Sequence, residues 1–338
     1  MKNYDFAYHV TNFLTIYLPR RRNASQDTVL SYRDTFSHFL RFCQEEKGIP
    51  PEKVMFNKID ARLIEDFMLW LESSRGSGAS TRNQRLAALR SFFRYLQIEA
   101  PEHLLMCQSI LALKQARQSK PIVNYLTHDQ IKLLLGQPDA SDWDDRRDLA
   151  ILYLMYDSAA RVREICNVTV GDIHTSSPAT VRLTGKNSKT RIVPMSTAVS
   201  ELLRQYINER GLNVPGLAAK PLFTNRQGKK LTRGGVSYIL SKYVGKANET
   251  TSDALQARIT PHCLRHSKAM HLLESGINLI YIRDFLGHDD VKTTQIYAKA
   301  NPELKREAIL KAYAGESAPQ LPAWQDNPGL MKFLKSLG

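Results

Sequence analysis

Residues 261–276 read PHCLRHSKAMHLLESG. Two histidines and an arginine, His262, Arg265 and His266, fall within five positions, and an apolar, helix-like pattern follows. A helix near its start aims backbone N–H groups and cationic side chains at a single anion, so the stretch reads as a phosphate site. A satisfied polar helix end uses the same residue types. What surrounds the stretch in the chain has to separate the two readings.

The chain has 338 residues, 43% of them hydrophobic, which is enough for two ordinary domains with cores of their own. Lys and Arg number 47 against 33 Asp and Glu, a net charge of +14 that favours a polyanionic partner over an acidic small molecule. A solvated basic surface is the plainer account of that charge. The excess is shared, with 17 basic and 12 acidic residues in 1–118 and 30 and 21 in the remainder. Cys43, Cys107, Cys166 and Cys263 are far apart and form no C-x-x-C pair, which argues against a disulfide framework or a zinc finger and for a reducing compartment. The apolar run at the N-terminus carries Asp5, His9 and Asn12, wrong for a signal peptide, and no stretch approaches membrane-spanning length. The expected setting is the bacterial-type cytoplasm, with no membrane partner.

Upstream, Val29, Tyr32, Phe36, Phe39, Leu40 and Cys43 recur at three- and four-residue steps, the signature of an amphipathic helix. The pattern repeats from Asp60 and from Ser80, so residues 1–117 read as an all-helical module. Its last helix opens with Thr81, Arg82, Asn83, Gln84 and Arg85, side chains that contact phosphates and base edges in a DNA groove but also decorate solvated helix ends. Residues 118–125, with Lys120 and Pro121, break the pattern as a linker, and Thr127 with Gln130 forms a capping box that opens the second domain, 126–314. There the sequence predicts a buried helix from Trp143, a second helix starting around Arg161, and one strand pair, Val181–Leu183 with Arg191–Val193, around a cationic tip at Lys186. Residues 315–338 are a Pro-rich tether and a short amphipathic segment. The expected fold class is mainly α with a small antiparallel β-sheet (α+β), in two domains.

Individually, the polar residues of the second half have ordinary explanations. Arg161 and Glu164 suit a helix-face ion pair, Lys186 a solvated turn, His288 a helix C-cap and Tyr297 half-buried packing. His262 and His266 stand four apart beside Cys263, yet no carboxylate-rich or thiolate motif accompanies them, and no metal is expected. In order and spacing, however, AARVREI (159–165), TGKNSKTRIVPM (184–195), HCLRHSKA (262–269) and LGHDDVKTTQIYAKA (286–300) resemble the arginine, lysine-hairpin, histidine-x-x-arginine and histidine–tyrosine boxes of the tyrosine recombinases, the phage integrase family. STRNQRLAALRSFFRYL (80–96) resembles the last long helix of that family's core-binding, SAM-like domain.

The resemblance implies an enzyme that cuts and rejoins DNA at specific sites through a 3′-phosphotyrosyl link and a Holliday junction, with no cofactor. Arg161 and Arg265 would clamp the non-bridging oxygens of the scissile phosphate, His262 would add to their positive field, and Lys186 would protonate the leaving 5′ oxygen. Tyr297 would be the nucleophile, its phenol, pKa near ~10, helped by that field, and His288 would hydrogen-bond the phosphate and steady the tyrosine helix. The opening stretch then has its explanation: His262 and Arg265, three apart, share a helix face and point at one phosphate, while His266 is expected to face inward or bond locally as a structural histidine. Glu164 and Asp172 would orient neighbours. Thr81, Arg82, Arg85, Lys120 and Lys268 are the expected DNA contacts. The expected partners are a double-stranded recombination site and, in a homotetramer on two duplexes, three further copies of the chain, with accessory proteins left open. The sequence departs from the family at Ala159, where glycine is usual, and at Lys268, where phenylalanine or a small residue is usual. Integration, transposition and resolution all remain open. A DNA-binding accessory protein with a vestigial site is the alternative, and the full set of six catalytic positions argues against it.

Overall fold

The computed structural model describes residues 5–117, 123–185, 189–250, 255, 259–300 and 329–336. The chain forms two compact units, Met1–Pro121 and Ile122–Gly338. It is mainly helical, with one small antiparallel sheet.

The first unit contains no strand among the described residues. Asp5 caps α1 (Phe6–Asn12) by accepting from the Ala7 N–H, and a wider-wound segment, Phe13–Arg21, continues it. Ser25 starts α2 (Gln26–Lys47), and Gly48 ends it at φ 62, a left-handed position that glycine takes without steric cost. α3 (Ala61–Ser73) begins where Asp60 accepts the Leu63 N–H at 2.7 Å, and α4 (Ala79–Glu99) and α5 (Leu104–Leu111) follow. Phenylalanines from separate elements fill the centre. Phe13, Phe36 and Phe92 meet edge to face at 5.2 to 6.2 Å, contacts worth about 0.5–1.5 kcal/mol each beyond the area they bury.

The polar start of α4 is largely occupied inside this unit. Arg82 pairs with Glu72, and Arg85 donates to the Ser31 carbonyl at 2.9 Å and to Thr35 Oγ1 at 3.1 Å, pinning α4 to α2. The Asn83 side chain donates to the Ala116 carbonyl and accepts its N–H, both at 2.9 Å, which fastens the chain that leaves α5. Of the expected DNA contacts on this helix, Thr81 is the exposed one. Lys120 lies outside the described residues.

In the second unit the Thr127–Gln130 capping box forms and opens α6 (His128–Leu135). α7 (Trp143–Asp157) is buried through Ile151, Leu152, Leu154 and Met155, and α8 (Val162–Asn167) follows a tight turn. β1 (Ile173–His174), β2 (Thr180–Thr184) and β3 (Thr190–Pro194) form the sheet in that order, with Val181 opposite Val193 and Leu183 opposite Arg191. The two-residue β1 is an addition to the hairpin read from the sequence. Lys186 at the hairpin tip lies outside the described residues. α9 (Thr197–Glu209), α10 (Arg233–Thr250), α11 (Pro261–Glu274), α12 (Leu279–Leu286) and α13 (Val291–Ala300) follow. α14 (Leu330–Ser336) leaves Phe333 and Leu334 exposed. No described helix is long and apolar enough to cross a membrane.

Beside the main core of this unit is a small second cluster of Ala159, Ala269, Met270, Ile282, Leu286 and Tyr297. It joins the turn before α8 to α11, α12 and α13, and most of the residues singled out in the sequence stand around it.

Candidate active site

Arg161 caps α8. Its backbone N–H donates to Glu164 Oε2 at 2.7 Å, its Nη1 to Glu164 Oε1 at 2.9 Å, and its Nη2 to the Gly287 carbonyl at 3.0 Å. Gly287 ends α12 at φ 63, and a Cβ there would sit 2.9 Å from Arg191 Cδ, so conformation and space both require glycine. Arg191 on β3 donates Nη1 and Nη2 to the two Glu164 oxygens at 2.7 and 2.9 Å and Nε to the Phe285 carbonyl at 3.0 Å. Burial alone would raise the Glu164 carboxyl, but its hydrogen bonds and charge pairing with Arg191 and Arg161 hold it below the usual carboxylate range.

Arg265 lies beneath, 3% exposed, donating Nη1 to the Ala159 carbonyl at 2.7 Å and Nη2 to the Leu286 carbonyl at 2.6 Å. Each of those nitrogens keeps a second N–H for an anion. Burial first, and then Arg161 and Arg191, push its pKa down to about 9, which leaves it cationic at neutral pH. Ala159, which supplies one of the carbonyls, is buried at φ 47, in the left-handed region that costs an L-residue about 1–2 kcal/mol. The family's usual glycine at this position has a physical reason here: the turn that aims the carbonyl at Arg265 needs a positive φ.

His262 stands exposed one turn from the buried face of α11, and its pKa is lowered by its low-dielectric surroundings and then by Arg265 and Arg161. Thr294, fully buried on α13, shares a 2.9 Å hydrogen bond with His288 Nδ1. The His288 pKa is pushed down to about 4 by burial and by Arg265, Arg161 and Arg191. Tyr297, three residues after Thr294 on the same face, is 1% exposed, with its hydroxyl 2.8 Å from His266 Nδ1. Burial raises the Tyr297 pKa against the opposing pull of Arg265 and Arg161. Two guanidiniums, Arg161 and Arg191, thus pair with the one buried carboxylate of Glu164, whose charge also reaches Arg265, and the surplus positive charge suits a phosphodiester.

Arg161, His262, Arg265, His288 and Tyr297 therefore come together. Gly185, the residue before Lys186, lies against the Arg161–Glu164 pair: a Cβ there would come within 3.1 Å of Glu164 Oε1. Asp172 accepts from the Thr169 N–H at 2.9 Å and from Arg182 Nε at 2.7 Å, holding the turn before β1. Lys268 is not on an open surface. Its ammonium is 3.2 Å from Asp157 Oδ1 and its side chain is 19% exposed, so its charge is paired within this unit. Arg191, Thr294 and the His266 contact were not read from the sequence. An arginine two residues before the buried Val193, on the inward face of an alternating strand, was the available signal for the first.

Among the described residues one cluster has the composition of a metal site: His128, His271 and Glu274, with ligand atoms within 4.8 Å of one another. The two imidazoles stack face to face at 3.6 Å and 18°, which directs their in-plane lone pairs side by side and not at one ion. His271 Nδ1 shares a 2.8 Å hydrogen bond with the Tyr156 hydroxyl, a packing arrangement for a ring whose pKa is pushed down to about 4, mainly by burial.

Residues 124–303 match the phage integrase family, and residues 11–100 match the phage integrase N-terminal SAM-like domain. The chain is 36% identical over 338 residues to a putative integrase/recombinase, y4rC, of Sinorhizobium fredii, covering 99% of both chains. It is 31% identical to the tyrosine recombinase XerC of Bacillus subtilis, covering 89% of this chain and 96% of that one. The fold resembles that of the Tn1549 transposon integrase in complex with transposon right end DNA, with a TM-score of 0.70, 18% identity and coverage of 90% and 99% of the two chains. It also resembles the XerH site-specific recombinase bound to palindromic difH substrate, with a TM-score of 0.67, 20% identity and coverage of 86% and 82%. The chain belongs to the phage integrase family and is a site-specific tyrosine recombinase.

Proposed function

We propose that this recombinase cleaves each DNA strand by attack of Tyr297 on the scissile phosphate, conserving the bond energy in a 3′-phosphotyrosyl link, and rejoins strands through a Holliday junction. The observation that carries the reading is the buried Tyr297 phenol within the field of Arg265 and Arg161, with Arg161 and Arg191 held by the buried Glu164 carboxylate. Phosphoryl transfer needs little from a protein beyond positioned nucleophile, proton donors and charge at the non-bridging oxygens. Arg161 and Arg265 supply the charge, and His262 and His288 supply further donors. Lys186 is the acid for the leaving 5′ oxygen.

Fold neighbours described with transposon-end DNA and with difH support double-stranded DNA as the substrate. Exchange between two duplexes takes four cleavages, hence a homotetramer. The exposed Phe333 and Leu334 of α14 suit docking on a neighbouring copy, because so short a helix is unstable without a surface to cover its apolar face. The cytoplasm is the setting, and the task is integration, transposition or resolution.

Because guanidinium charge does the work that magnesium does in other phosphoryl transfers, cleavage and strand exchange are expected to persist in excess EDTA. Duplexes built from DNA flanking the gene, incubated with the protein in EDTA, should yield a DNA-linked protein band and a four-way junction. Loss of both in EDTA with recovery on adding magnesium would exclude this chemistry.

A further inference from the structure

The Tyr297 hydroxyl lies 2.8 Å from His266 Nδ1, and His266 is its hydrogen-bond partner among the described residues. His266 follows Arg265 directly on α11, its ring tilted 58° to the tyrosine ring at 5.6 Å. A phenol attacking phosphorus must give up its proton as the O–P bond forms, and this phenol is sealed from bulk water, 1% exposed. Building on the phosphotyrosyl reading above, we propose that His266 is a catalytic residue, the base that takes the Tyr297 proton during cleavage and returns it during rejoining.

The proton and bond changes balance. Tyr297 Oη–H gives its proton to Nδ1, the Oη–P bond forms, the P–O5′ bond breaks, and O5′ takes a proton from the acid on its own side, assigned above to Lys186. Cleavage leaves an imidazolium, a neutral amine, a phosphotyrosine and a free 5′ hydroxyl, and rejoining reverses each transfer. The role requires the Nε2–H tautomer, with Nδ1 as acceptor.

The surroundings make the transfer dependent on substrate. Burial, then the fields of His262 and Arg265, lower the His266 pKa, while burial raises that of Tyr297, so the DNA-free enzyme stores its nucleophile as a neutral phenol beside a neutral base. His288 also couples to this ring from the α12–α13 connection. A phosphodiester entering against Arg161, Arg265 and His262 cancels the positive field that disfavours imidazolium, so proton transfer becomes favourable when there is a phosphate to attack. That arrangement keeps a reactive phenolate from forming off DNA.

The test uses the full chain and a nicked suicide duplex built from DNA flanking the gene, with the scissile linkage as oxygen or as 5′-bridging sulfur, a leaving group that needs no proton. His266→Ala is expected to slow covalent-complex formation about 10²- to 10⁴-fold on both substrates, the usual contribution of a positioned acid–base group. Lys186→Ala is expected to be slow on oxygen alone. His266→Asn, which retains a hydrogen-bonding group but no basic nitrogen, should be nearly as slow as alanine, and added imidazole should restore part of the alanine variant's rate. Full activity in His266→Asn would make the contact a positioning one and overturn the proposal. So would a His266→Ala variant faster than the parent, or one slowed but unmoved by imidazole. A parent protein that forms no covalent complex would instead strike the phosphotyrosyl reading on which this rests.

Discussion

Arg265→Ala is expected to lower the single-turnover rate of DNA cleavage by about 10³-fold or more, since removing one preorganised donor to a developing oxyanion typically costs 10²–10³ and this side chain offers several. Its guanidinium is fixed before substrate arrives by two backbone carbonyls, those of Ala159 and Leu286, so little reorganisation is spent in the reaction. Truncation also leaves those carbonyls without donors, at about 1–3 kcal/mol for each buried unsatisfied group. Arg265→Lys keeps a charge but loses the fork that spans the two carbonyls, and it should recover only a small part of the rate. Binding to a single half-site should fall far less than cleavage. A cleavage rate within tenfold of the parent for Arg265→Ala would remove this arginine from the phosphate clamp.

Glu164→Ala is expected to be the most destabilising single change at the site. The carboxylate is 2% exposed and accepts from the Arg161 backbone, the Arg161 guanidinium and both terminal nitrogens of Arg191. Removing one partner of a buried ion pair leaves uncompensated charge and costs about 3–5 kcal/mol. Here the Arg161 and Arg191 guanidiniums would face each other without the carboxylate that bridges them. The Glu164 pKa is depressed in the folded state, so its contribution is present above the ordinary carboxylate range and is lost as pH falls through the lowered value. The parent and Glu164→Ala should therefore differ most in urea midpoint near neutral pH and converge in acid. Equal midpoints at neutral pH would mean that the carboxylate does not bind the arginines together.

Helices with a clean three- and four-residue apolar pattern were legible in the sequence, as α2, α3 and α4 illustrate, and so was the start of α6, because a capping box is a local signal. The β2–β3 hairpin was legible from alternation around a polar turn. β1 was not, since two residues carry no period. In the site, the charges of Arg161 and Arg265 were readable from box order. Glu164 was readable as the partner of Arg161, but Arg191, Thr294 and the His266 contact were not, because their roles arise only when β3 meets α8 and α11 meets α13. His266 illustrates this: four residues after His262, it read as a local structural histidine, and the packing of α13 turned that position into a contact with the tyrosine hydroxyl. Arg82 and Arg85 stand at a helix start whose role the sequence leaves ambiguous. A basic helix start looks the same whether it faces DNA or clips two helices together, and here both guanidiniums are engaged within their own unit.

Tyr297 is expected to become covalently joined to a 3′ phosphate. The parent protein and Tyr297→Phe are each incubated with the nicked suicide duplex, and the trapped adduct is digested and sequenced by mass spectrometry. The expected result is a single phosphonucleotide-bearing peptide, modified at Tyr297, and no adduct in Tyr297→Phe even where the variant binds DNA as the parent does. An adduct on any other residue, or a DNA-linked band that survives Tyr297→Phe, would contradict the assignment.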